Sequence, residues 1–410
     1  MPTEITPQVR EELRSYFPAL ATGTVFLENA GGSQVPVQVA DRIREYLLES
    51  YVQLGAGYGL SRRSTELVHQ AHLFIRALMG GEEDGGEVIL GSSASSLLQM
   101  LSDCYSRVLQ PGQEVIVAET EHEANVGPWT RLERYGIETR WWRMDPGDFS
   151  CSMDQLATLL SDRTALVAFP HVSNLLGEIV DIRQITTMVH EAGARVVADG
   201  VAFAPHRAMR VSDWGVDWYV YSTYKVYGPH MAALWGRSDA LEELTGPNHY
   251  FIHDVPYQFE LGGPSHEGCA GLLGLSDYLA KVAGAKEGSL SRSDIDRAFE
   301  IMAACEQPVQ ARLLEYLRSR EDVRIVGPEV DGPARVGTIS FVHAEKSSRA
   351  VTEVVDRTEI GIRHGHMYAY RLCEALDLDP ADGVVRVSLV HYNTPDEIER
   401  LIAVLDRVLA

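Results

Sequence analysis

Short apolar runs alternate with helix-period segments through the middle of this chain, and that rhythm restricts the fold more than any other feature. Residues 87–90 (Glu-Val-Ile-Leu) read as a strand, followed from Ser93 by a helix with Leu97, Leu98, Leu101, Cys104 and Tyr105 on one side. Residues 114–118 and 165–169 are the next strands. Ile182, Ile185, Met188, Val189 and Ala192 keep a helical period before strands at 195–199 and 217–221. Strand, helix, strand at this spacing requires crossover connections, and such uniformly apolar strands are buried on both faces of a mainly parallel sheet.

Residues 240–265, rich in Gly, Pro, His and aromatics, read as a long functional loop or lobe junction. Strands are expected at 335–343 and 385–391, then a closing helix with Thr394 as N-cap, Pro395 at its first position and Glu397 completing a capping box. At 410 residues the chain is expected to form two lobes, a large domain over 20–265 and a small α/β domain from 1–19 with 266–410. A net charge of −22 opposes binding to nucleic acid or an anionic membrane surface. The five cysteines are scattered without a CxxC pair, as in a reduced compartment. The first twenty residues read as a capped amphipathic helix rather than a signal peptide, and no apolar run is long enough to span a bilayer. A cytoplasmic location is the expectation.

Only four of the 36 basic residues are lysines, and Lys225 alone falls within the first 280 positions. Arginine replaces lysine readily on a solvated surface but not where the amine must form a Schiff base, because a guanidinium stays protonated. Lys225 lies in the run Ser222-Thr223-Tyr224-Lys225-Val226-Tyr227-Gly228-Pro229. Asp199 ends a strand 26 residues earlier. Alone it reads as a strand-end cap; beside Lys225 it completes the pair that pyridoxal phosphate chemistry needs, a lysine amine and an acid for the pyridine nitrogen.

Seven segments in order carry a resemblance. Phe26-Leu27-Glu28-Asn29-Ala30-Gly31-Gly32 is similar to "YLDNAATT", Gly91-Ser92-Ser93-Ala94-Ser95 to "GTTEA", and Glu121-His122-Glu123-Ala124-Asn125 to "EHHAN". His171-Val172-Ser173-Asn174 matches "HVSN", Ala198-Asp199-Gly200 is similar to "VDGAQ", the Lys225 run to "SGHKLYGP", and Arg386-Val387-Ser388 to "RAS". The chain thus resembles class V aminotransferases, within them the cysteine desulfurase-like branch. The resemblance implies a type I pyridoxal 5'-phosphate fold, α/β, with a large mainly parallel seven-stranded sheet domain, a smaller C-terminal α/β domain and a homodimer.

By that resemblance Lys225 and His122 are catalytic, Lys225 holding the cofactor and His122 stacking on its ring; alone, His122 reads as a loop histidine. Ser92, Ser93, Ser222, Tyr224 and Gly263 would hold the phosphate, Asp199 the pyridine nitrogen, and Asn174 the 3'-oxygen or the substrate carboxylate. Gly31, Asn174, Arg363, Tyr368 and Arg386 would bind the amino-acid substrate, Arg386 as a bidentate fork. The serines read equally as helix caps, and the histidines at 364 and 366 lack a second cluster for a metal, so no metal is expected.

Three departures stand out. Tyr368 occupies the place of the cysteine in the family's "RTGHHCA" loop, and a phenol cannot accept sulfur as a persulfide. Cys373 lies five residues on, on what reads as a helix face. Ala202 stands where the family has glutamine or histidine, and Gly263 replaces the threonine of "GTPN", a segment that in relatives reaches the partner's cofactor phosphate. The expectation is a carbon–sulfur β-lyase on cysteine or a cysteine S-conjugate. Aminotransfer or epimerisation is the nearest rival, ahead of desulfuration through Cys373 or cofactor binding without turnover. Tyr58, His364, His366 and Tyr368 are candidates for the pocket wall.

Overall fold

Val, Ile and Ala fill the central strands on both sides, so the sheet they form has no solvated face. The computed structural model describes residues 6–83, 85–286 and 288–410. Seven strands make the main sheet: β1 (Glu87–Gly91), β2 (Glu114–Ala118), β3 (Glu138–Trp142), β4 (Thr164–Pro170), β5 (Arg195–Asp199), β6 (Trp218–Ser222) and β7 (Ala232–Gly236). Their spatial order is β1-β7-β6-β5-β4-β2-β3. The pairs from β6 to β3 run parallel, whereas β7 is antiparallel to both its neighbours. In such a sheet the carboxyl ends of the parallel strands open on one edge, where ligands bind.

Two strands escape the apolar-run rule. β3 is the sheet edge, and its Glu138 and Arg140 break any hydrophobic run. β7 (Ala-Ala-Leu-Trp-Gly) is built largely of small residues.

A second, four-stranded antiparallel sheet lies toward the C-terminus: β8 (Val323–Val326), β9 (Thr338–His343), β10 (Arg363–Gly365) and β11 (Val384–Ser388), in the order β10-β11-β9-β8. Arg386 sits on β11, paired with Ser340 on one side and Arg363 on the other. The expected strand 335–343 begins only at Thr338, because the buried Arg335 guanidinium turns inward to donate to Thr338 O at 2.7 Å. The expected strand 385–391 ends at Ser388, and a turn follows in which Asn393 N donates to Val390 O at 3.0 Å. The final helix, Pro395–Val408, carries the expected capping box of Thr394 and Glu397.

Helix Arg292–Arg318 serves both sheets: Ile295, Phe299, Met302 and Cys305 join the apolar cluster of the main sheet, and Val309, Leu313 and Leu317 that of the second. Val25 and Leu27 belong to the second cluster, Leu13 and Phe17 to the first. No helix among the described residues is long and apolar enough to cross a membrane.

Candidate active site

Five strands of the main sheet each deliver a polar group as they end. Ser92 and Ser93 follow β1, with Ser93 capping helix Ala94–Tyr105: its Oγ accepts from Ser96 N at 3.1 Å. Glu121 and His122 follow β2, Asn174 follows β4, Asp199 closes β5, and Ser222 closes β6 just before Lys225. Gly200 must be glycine here, since a Cβ would lie 2.1 Å from the Tyr219 ring. The convergence leaves a cavity of about 510 Å³, counting its open mouth, with Ser93, His122, Asn174, Asp199, Ser222, Tyr224 and Lys225 in its wall.

Burial dominates the electrostatics. It raises the Asp199 carboxyl to about 6 against the opposing pull of a hydrogen bond from Val201 N and the charge of Lys225. It lowers the Lys225 amine to about 8, helped by the Arg386 charge and resisted by Asp199. His122 is pushed down to about 3 by burial, then by Lys225 and Arg386, so its imidazole is neutral at physiological pH. Its Nδ1 accepts from Ala124 N at 3.0 Å, leaving Nε2 as the protonated nitrogen. Burial and the Asp199 charge push Glu121 upward as well.

Several buried groups are left waiting for a partner. Lys225 forms no ion pair or hydrogen bond among the described residues, although it is only 9% exposed. Arg386 donates from one terminal nitrogen to Asn174 O at 3.2 Å, while its Nε has no partner. Asn174 donates to Met367 O at 2.8 Å, while its Oδ1 has none. Buried polar atoms without partners are costly, so a cluster of them marks a place where a ligand supplies the missing bonds.

The mouth is different. Arg363 pairs with Glu28, Nε to Oε1 at 2.6 Å, and with Glu28, His364 and His366 lines an open groove beyond the cavity. Tyr368 borders that groove, 66% exposed, its ring centroid 5.2 Å from that of His122. Gly31 lies beside Glu28, where a Cβ would come within 2.6 Å of Oε1. Ser92 is exposed and not part of the cavity wall, its Oγ 3.1 Å from Ser96 Oγ. Tyr58 caps helix Gly59–Met79 on the exterior, outside the cavity wall. Gly263 occupies an exposed turn at φ +77°, also outside this cavity. Cys373 is fully buried on helix Tyr370–Ala375, and desolvation pushes its thiol up to about 11. Glu121, Val172 and Val201 also line the cavity. Among them Glu121 had a sequence signal, an acid directly before His122 at a strand end.

The sequence profile of the family described as Aminotransferase class-V matches residues 25–401. The chain belongs to this family. It is 38% identical to an aminotransferase-like protein, FGM3, of Gibberella zeae, over 97% of this chain and 98% of that protein. It is 29% identical to a cysteine desulfurase of Pectobacterium atrosepticum, over 97% of each chain. Its fold matches that of the cysteine desulfurase CsdA of Escherichia coli with a TM-score of 0.83 at 24% identity, covering 98% of each chain. The fold is therefore the type I fold of the pyridoxal phosphate enzymes, and this class V chain is a pyridoxal phosphate-dependent enzyme.

The residues present fit that cofactor. A buried, unpaired amine at Lys225, an acid at Asp199 and a capped helix N-terminus at Ser93 stand in one wall, matching an aldehyde, a ring nitrogen and a phosphate.

Proposed function

We propose that this class V enzyme is a carbon–sulfur β-lyase acting on cysteine or a cysteine S-conjugate. One observation carries the reading: the position at the mouth belongs to the Tyr368 phenol, and no thiol among the described residues lines the cavity. Cys373, the nearest substitute in sequence, is inside an apolar cluster with its thiol held protonated. A thiolate is needed to carry sulfur away as a persulfide. Without one, the sulfur leaves as a free thiol.

When bound, the cofactor supplies an electron sink for the bonds at the substrate α-carbon. Lys225 would hold it through its amine. That amine, lowered to about 8, is far more often neutral near pH 7.5 than an ordinary lysine, so when free it can take the substrate α-proton as general base. Asp199 keeps the ring nitrogen protonated. Arg386 and Asn174, each with an unsatisfied atom, bind the substrate carboxylate or the cofactor's 3'-oxygen. Ser93, Ser222 and Tyr224 take the phosphate end.

The assay is product analysis with cysteine, cysteine S-conjugates and plain amino acids. Pyruvate, ammonia and a thiol (hydrogen sulfide from cysteine itself) in equal amounts are expected. A keto acid retaining its side chain, with the amino group left on the cofactor, would make this an aminotransferase. An inverted substrate would make it an epimerase.

The same reading includes a homodimer. Leu47, Leu48, Tyr51, Tyr250, Phe251 and Leu261 are large apolar residues exposed to solvent that a contact between two copies could cover. In a dimer the turn carrying Gly263 would complete the phosphate end of the other chain's cavity. Light scattering should return twice the mass of 45.4 kDa, and the single-chain mass would remove this part of the reading.

A further inference from the structure

Ser33 has no part in the chemistry above, yet it grips the chain on both sides of Lys225. Its Oγ donates to Tyr224 O at 3.1 Å and accepts from Tyr227 N at 2.9 Å. Its own N–H donates to the same Tyr224 oxygen at 3.1 Å. The turn needs such a grip. Tyr227 is held at φ +60°, a conformation that a bulky residue keeps only when its surroundings impose it.

The other end of the same segment is tied to the strand of Arg386. Asn29 Nδ2 donates to Ser388 O at 2.7 Å, and Ala30 N to Ser388 Oγ at 2.8 Å. The Tyr392 hydroxyl donates to Asn29 Oδ1 and accepts from Gln34 N at 3.0 Å. Ser388 is two residues beyond Arg386 on β11. Residues 29–34 therefore form a strap, fixed at one end to the Arg386 strand and at the other to the Lys225 turn.

Resting on the roles given above to Lys225 and Arg386, we infer that Ser33 is a positioning residue. Through the strap it sets the Lys225 amine against the α-carbon of a substrate whose carboxylate Arg386 holds. Proton transfer and amine displacement both depend on such placement, and a shift of about 1 Å costs about 100-fold in rate. Removing the hydroxyl deletes two of the three bonds to the turn and leaves the Ser33 N–H bond, so a partial displacement follows.

The experiment compares the holoenzyme with Ser33→Ala and Ser33→Thr. Turnover is measured as substrate loss. Borohydride fixes the cofactor to Lys225, and peptide mass spectrometry reads how fast added amino acid abolishes that fixation. Ser33→Ala should lower kcat and the displacement rate about tenfold with KM nearly unchanged, and Ser33→Thr should restore both. Unaltered kcat and displacement in Ser33→Ala would overturn the strap, as would a threonine variant no better than alanine. If the alanine variant does not fold, Ser33→Cys, close in size but a weak hydrogen-bonding group, is read by the same criteria. Absence of fixation at Lys225 in the unaltered enzyme would overturn the parent reading and this one with it. Normal fixation with an indifferent Ser33 overturns this one alone.

Discussion

At the floor of the cavity, Asp199 and Ser222 close buried strands and Lys225 follows on a short turn, all three side chains buried. At the mouth, Met367 and Tyr368 occupy two successive left-handed conformations, φ +47° and +64°, and Tyr368 is mostly solvent-exposed. The floor is rigid because hydrogen-bonded ladders on both sides fix each strand. The mouth is held by a few bonds: Asn174 Nδ2 to Met367 O at 2.8 Å, Glu123 N to Tyr368 O at 2.8 Å, and Tyr368 N to His366 Nδ1 at 3.0 Å. A scaffold of this kind keeps cofactor chemistry constant at the floor and leaves reaction choice and substrate range to the mouth.

The largest expected effect tests the floor. Lys225→Ala should remove the visible absorbance of the lysine-bound cofactor and lower turnover by about 10⁴-fold, the upper range for losing a general base. An unchanged spectrum would break the division between floor and mouth at its centre. Arg386→Lys comes next. Lysine keeps the charge but not the fork, so KM for the amino acid should rise about 10- to 100-fold while cofactor binding is unchanged. A rise in cofactor Kd instead would move Arg386 from substrate to cofactor.

The third prediction concerns the pH dependence of stability in the cofactor-free protein. Asp199 is raised to about 6, so between about pH 4 and 6 the native chain binds its proton more tightly than the unfolded chain does. Its contribution is full below about pH 4 and is lost as pH climbs through 6. Lys225, lowered to about 8, has the opposite flank: its contribution is full above about pH 10.5 and is lost as pH falls through 8. Urea melts at successive pH values should show the acid flank flattened in Asp199→Asn and the alkaline flank flattened in Lys225→Met. A curve for Asp199→Asn parallel to that of the unaltered chain from pH 4 to 6.5 would mean that Asp199 is not desolvated.

What was legible in the sequence follows the same line. The strands at 87–90, 114–118, 165–169 and 195–199 announced themselves because burial on both faces leaves their interiors apolar, with charged residues such as Glu87, Glu114, Arg195 and Asp199 only at their ends. The edge strand β3 did not, since solvent on one side admits Glu138 and Arg140. Lys225 was visible through the scarcity of lysine elsewhere, and Asp199 through its place at a strand end. Ser33 was silent: an ordinary serine gains its importance only when folding brings it against a turn nearly two hundred residues away. Glu121 was quoted within a motif, but its nearness to Asp199 depends on β2 and β5 lying on either side of β4, which no local pattern encodes.

The smallest effect sharpens the comparison from the side of the mouth. Tyr368 holds φ +64°, where a side chain costs about 1–2 kcal/mol and glycine costs nothing. Its ring is exposed and makes its main contact with the neutral His122. Tyr368→Gly should therefore raise the unfolding free energy by about 1 kcal/mol, offset in part by the greater freedom of glycine in the unfolded chain. The same change strips the groove of its border, so KM for bulky S-conjugates should rise severalfold with cofactor binding untouched. A gain in stability paired with a loss in substrate binding is the signature of strain kept for function. If Tyr368→Gly instead destabilises the protein by more than about 1 kcal/mol, the Tyr368 ring is a packing element and the mouth is as firmly built as the floor.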